Sequence, residues 1–100
     1  MKIVWSKSAK EDLANYRNKS KILYVEKYIE KLIDYVDELE KHPRLGKKIF
    51  KIKDKEIRQL VYKMHKILYN VENGEIDILV VIHGHRDMKI IVKYLKQHLQ

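Results

Sequence analysis

No cysteine occurs among the 100 residues. That excludes a disulfide scaffold and any thiolate-bound zinc, and it suits a reducing compartment. Proline appears once and glycine three times, so the chain lacks the composition of a flexible linker and a packed fold is expected throughout. Long apolar runs are missing too. The longest, Ile78–Ile82, falls far short of the roughly 20 residues that span a bilayer. The opening Met1–Ser6 is apolar for too few residues to serve as a secretory signal. The expectation is one domain over residues 1–100, cytoplasmic and without a membrane partner, burying roughly 60–70% of its unfolded surface.

Positive charge is abundant, with 22 Lys+Arg against 14 Asp+Glu for a net +8. Residues 1–40 carry eight charges of each sign and residues 67–100 four of each, so the excess arises in 41–66, with ten basic and two acidic residues. Such a concentration costs self-repulsion and usually faces a polyanion or an acidic partner. An evenly spread charge would instead suggest a solvated lysine-rich surface. All five histidines lie in that stretch or after it, four of them (His42, His65, His83 and His85) before Arg86.

Ile3-Val4-Trp5 reads as a short strand. Ser6, or Ser8 with Glu11, can cap a helix bearing Ala9, Leu13 and Tyr16 on one face, which Asn18-Lys19-Ser20 ends. A longer helix carries the stripe Ile22, Val25, Ile29, Leu32, Ile33, Val36 and Leu39, and the two helices should form an antiparallel hairpin. His42-Pro43-Arg44-Leu45-Gly46 stops it. Strand-like runs follow at Lys48–Lys53, Ile57–Lys63, His65–Val71 and Glu75–His83, with Asn73-Gly74 as a hairpin turn. In the last run strict alternation puts Ile76, Ile78, Val80 and Ile82 on one face and Leu79 and Val81 on the other, as expected of an internal strand. Met88, Ile91, Val92, Leu95 and Leu99 mark a C-terminal amphipathic helix, packed on the protein's own sheet or on another chain. The fold class is α+β, in the short form β-α-α-β-β-β-α, with the N-terminal strand and helical hairpin on a twisted, mainly antiparallel sheet.

Several segments resemble the RelE/ParE toxin superfamily. Trp5-Ser6, Ala9, Asp12-Leu13 and Pro43-x-x-Gly46 match its first half. Ile57-Arg58-Gln59-Leu60, Lys66-Ile67-Leu68-Tyr69 and Ile78–Asp87 match its second. The resemblance implies a toxin of a type II toxin–antitoxin pair, held inactive by a cognate antitoxin that wraps it. RelE-like members cleave mRNA on the ribosome, the reading preferred here; ParE-like members inhibit DNA gyrase without catalysis. A basic nucleic-acid-binding module without toxicity is the remaining alternative. The antitoxin is expected to be acidic, and no cofactor is expected.

Metal-free RNA cleavage by 2′-OH attack needs a base, an acid and cations that stabilise the charge of the transition state. Arg58 and Arg86 can clamp phosphate, and by resemblance they occupy the family's two recurrent arginine positions. Imidazole is the side chain whose ordinary pKa lies near neutrality, so His83 and His85 are candidate acid or base, with His65 a further imidazole. Lys48, Lys51, Lys63, Lys66 and Tyr94 are candidate nucleic-acid contacts, Tyr94 by stacking. The plain readings are an Arg86–Asp87 ion pair, an Arg58–Glu56 pair, a structural His83 closing a strand, and Tyr69 in the core. His83-x-His85, completed by His65 or Asp87, is weak evidence for a metal, and Gly84 can break the strand between them.

Overall fold

The computed structural model describes residues 1–21 and 23–99. The elements run β1 (Lys2–Trp5), α1 (Lys7–Lys19), α2 (Val25–Asp37), a 3₁₀ turn (Glu38–Glu40), β2 (Lys47–Ile52), β3 (Lys55–Tyr62), β4 (His65–Glu72), β5 (Glu75–His83) and α3 (Met88–His98). The α+β architecture stands, and each of the four runs after the hairpin is a strand of its own. Ile22, the first residue of the expected α2 stripe, lies outside the described residues.

The five strands form one sheet in the order β1-β5-β4-β3-β2. β1 pairs with β5 in parallel, Lys2–Trp5 against Glu75–Ile78, and the other three pairings are antiparallel. β5 is thus an internal strand, as its two apolar faces require. The helical hairpin covers one face: Ala9, Leu13, Ile29, Leu32 and Val36 pack on Leu60, Ile67, Tyr69, Ile76, Ile78 and Val81. α3 covers the other, setting Ile91 and Leu95 against Ile52, Ile57, Leu68, Leu79, Val80 and Ile82. The partner of the C-terminal amphipathic face is therefore the protein's own sheet.

Strict alternation fails in β5. The register with β4 shifts between Leu68↔Val80 and Tyr69↔Ile78, leaving Leu79 without a partner as a β-bulge. Leu79 and Val80 consequently both face α3, while Ile76, Ile78 and Val81 face the hairpin. Val80, Val81 and Ile82 each take the face opposite to the one a regular period of two assigns them. The extra residue also turns His83 toward the hairpin, where its ring lies 5.7 Å from Tyr16.

The Pro43–Gly46 loop is held from below. Tyr69, fully buried on β4 as its core reading requires, donates its hydroxyl to the Pro43 carbonyl and accepts from the Gly46 N–H, both at 2.8 Å. Arg58 on β3 donates through Nη1 to the Gly46 carbonyl at 2.7 Å and the Arg44 carbonyl at 3.5 Å. Two short motifs distant in sequence are thus one contact in space.

Candidate functional site

β1 covers only the first half of β5. Past Ile78 the β5 edge has no strand beside it, and the start of α1 takes over its backbone groups. Ser6 donates its N–H to the Ile78 carbonyl at 3.0 Å and its hydroxyl to the Leu79 carbonyl at 2.8 Å. The same Oγ accepts from the Ala9 N–H at 3.0 Å, which settles the helix start on Ser6 rather than Ser8. One turn on, Asp12 Oδ2 accepts from the Val81 N–H at 2.8 Å. Burial pushes the Asp12 carboxyl up, and the hydrogen bond and the nearby Arg86 charge act against that.

Arg86 therefore sits at this open edge rather than in an ion pair with Asp87. Asp87 instead caps α3, accepting from the Lys89 N–H at 2.9 Å. Arg86 borders two clefts. One, of about 250 Å³, is lined by Asp12, Asn15, Tyr16, Lys19, Val81 and His83 besides Arg86. The other, of about 170 Å³, lies toward α3 and includes Ser8, Ile90 and Tyr94. Tyr94 thus shares a cleft with Arg86, and its ring stacks on His98 with centres 4.0 Å apart.

His83 separates the Arg86 cleft from a more basic one. Gly84, at φ 65°, turns the chain out of β5 and donates its N–H to the Met64 carbonyl at 2.8 Å. That bond ties the end of β5 to the β3–β4 turn, where Lys63 holds a left-handed φ of 47°. Val61, Lys63, Met64, Lys66, His83, Gly84 and His85 line the resulting cleft, of about 420 Å³. His83 is exposed rather than enclosed as a strand-ending structural histidine would be. The Gly84 turn breaks the strand between His83 and His85, and no three His, Cys, Asp or Glu side chains converge among the described residues.

The remaining candidates lie elsewhere. Arg58 is in register with Tyr69 and, across β4, with Ile78, whereas His83 is level with His65 and Tyr62. Arg58 and the His83 level are four residues apart along β3, roughly 13 Å. Lys48 forms a 3.0 Å ion pair with Glu56, the partner that would have served Arg58, and it holds the Glu56 carboxyl below its usual range. Lys51 stands exposed on the edge strand β2. The candidate cations of 41–66 thus lie on two separate surfaces. Lys63 and Lys66 share a cleft with His83 and His85, across His83 from Arg86; Lys48, Lys51 and Arg58 do not.

One part of this end of the sheet was invisible in the sequence pattern. His65 is 2% exposed and its Nδ1 is 2.8 Å from the Tyr28 hydroxyl. Tyr16 meets it edge-on with centres 4.5 Å apart, and His83 lies 5.0 Å away. Burial, then the neighbouring His83, hold the His65 imidazole down to about 4. Tyr28 carries no apolar label in a stripe of Ile, Leu and Val, and only its position one residue before Ile29 could have flagged it.

No helix among the described residues is long and apolar enough to cross a membrane. A comparison with curated proteins gives no match. The family model described as the ParE toxin of the type II toxin–antitoxin system parDE matches residues 3–88. The match runs from β1 through the hairpin and the whole sheet to the first residue of α3, as the motif order in the sequence anticipates. The chain belongs to this family of toxins.

Proposed function

We propose that this toxin, whose family implies a cognate antitoxin as partner, acts by ParE-like binding to DNA gyrase rather than by cutting RNA. The observation that carries the reading is the separation of the two arginines. Arg58 spends its guanidinium on the Gly46 and Arg44 carbonyls, while Arg86 stands at the β5 edge beside Asp12. A phosphodiester transition state needs its cations on one phosphate, and this pair is not on one. Recognition of a protein surface has no such requirement.

A second reading keeps a specific observation of its own. Lys63, Lys66, His83 and His85 share one cleft, with Arg86 across His83. In that arrangement RNA cleavage would use one imidazole as base and the other as acid, with Lys63, Lys66 and Arg86 stabilising charge and Tyr94 stacking on a base. Arg58, Lys48 and Lys51 would have no direct part in it.

Two assays on the purified toxin separate the readings: gyrase supercoiling, and mRNA integrity in a purified translation reaction with 5′ ends mapped. The expected outcome is blocked supercoiling with intact mRNA, and restoration of supercoiling by added antitoxin. Ribosome-dependent cuts that vanish in Arg86→Ala, with supercoiling untouched, would reject the gyrase reading and establish the other. The antitoxin is expected to be acidic to match the net +8, so its affinity should fall steeply with added salt.

A further inference from the structure

We propose that His65 and His83 form a binding site for one transition-metal dication of the zinc, nickel or copper kind, at the end of the sheet beneath the helical hairpin. The two residues are register partners on β4 and β5, with ring centres 5.0 Å apart. A metal–nitrogen bond of about 2.0–2.1 Å puts each imidazole centre about 3.2 Å from the ion, and a tetrahedral angle then separates the two centres by about 5.2 Å. The observed spacing is close to that value.

The surroundings supply what a ligating histidine needs. His65 Nδ1 is engaged by the Tyr28 hydroxyl at 2.8 Å, and a partner on one ring nitrogen is what orients the other toward a metal. That other nitrogen, Nε2, is buried with no hydrogen-bond partner, and so is the hydroxyl of Tyr16. The Tyr16 ring lies 4.5 Å from His65 and 5.7 Å from His83, so three rings surround the same small volume. Two unpartnered buried polar atoms on adjoining rings are a defect that native interiors avoid. An ion on Nε2, carrying water within reach of the Tyr16 hydroxyl, removes both.

The exposed His83 ring, which borders a cleft on each side, provides the route of entry. The protein supplies only two imidazoles, and water completes the coordination shell. Lys19 and Arg86 line the cleft on one side of His83, Lys63 and Lys66 the one on the other. Those charges oppose any dication, so affinity must come from the imidazoles; with Asp12 the one carboxylate lining either cleft among the described residues, calcium and magnesium are disfavoured against ions that imidazole holds well. A bound ion would couple α1 and α2, through Tyr16 and Tyr28, to the ends of β4 and β5.

Titration of the full-length chain with zinc chloride and nickel chloride, followed by calorimetry and by nitrogen-15 spectra of the imidazoles, tests the site. The expected result is one equivalent bound, with the His65 Nε2 resonance shifted and the melting temperature raised. His83→Asn, at an exposed position, should fold and lose at least tenfold in affinity. Tyr28→Phe should lose about 10–100-fold through its effect on His65. His85→Asn should bind as the parent does. Absence of binding, unchanged affinity in His83→Asn, or loss confined to His85→Asn would each overturn the proposal.

Discussion

A methyl group at Gly46 would lie 2.7 Å from the Tyr69 ring and 2.8 Å from the Gln59 carbonyl oxygen. Neither neighbour can retreat, because Tyr69 is fully buried and its hydroxyl holds the loop above it. Gly46→Ala should therefore cost about 1–3 kcal/mol, as overpacking does. The check is a urea titration in which the midpoint falls while the slope stays constant. Tyr69→Phe should cost a similar ~1–3 kcal/mol for a different reason, the unpaired Gly46 N–H. Pro43-x-x-Gly46 was visible as a turn, and Tyr69 as a core position. Their mutual dependence was not, since a hydroxyl reaching a loop 23 residues away leaves no periodic trace. Arg58 escaped for the same reason: its partners are backbone carbonyls, which every sequence has.

Among the elements, β5 shows where pattern reading stops. An unbroken run of Ile, Leu and Val looks alike in either register, so nothing in Ile78–Ile82 announces a residue left out of the ladder. The bulge at Leu79 follows from what lies beside it. β1 ends after pairing with Ile78, and Ser6 takes the next two carbonyls while capping α1. Ser6→Ala should therefore cost about 1–2 kcal/mol, more than an exposed cap, because the Leu79 carbonyl loses its partner as well. Thermal unfolding of the variant measures it. The faces can be read directly: methyl NOEs should join Val81 to the hairpin cluster and Val80 to α3. The helices needed no such help, since stripes at three and four residues are hard to misread. α3 kept all five of its expected apolar positions on one face, with Met88, Val92 and Leu99 packed beside buried Ile91 and Leu95.

At the scale of the whole molecule, one buried and one half-buried group set opposite slopes of stability against pH. His65 binds its proton less readily folded, at about 4 against 6.5. The unfolded chain takes up the extra proton as pH falls, so stability drops from pH 6.5 toward 4. Asp77 works the other way. Burial, with the hydrogen bond and charge of Glu75, raises its carboxyl to about 6 from 3.8. The folded protein holds that proton, so its contribution is present below pH 4 and fades as pH rises to 6. The two windows overlap, and the parent protein should show little net change between pH 4 and 6. Asp77→Asn removes one slope, and its stability should rise clearly across that range. Urea midpoints measured at several pH values test this, and a flat profile in Asp77→Asn would contradict the burial of His65.

Lys2 pairs with Glu75, and Trp5 with Ile78. The first strand to leave the ribosome thus has its place beside the last one made. Until β5 has emerged, β1 has no neighbour, and the hairpin lacks Ile76, Ile78 and Val81 from its seat. Synthesis and assembly are therefore separated in time: the nascent chain carries its helices for most of its length without the surface they define.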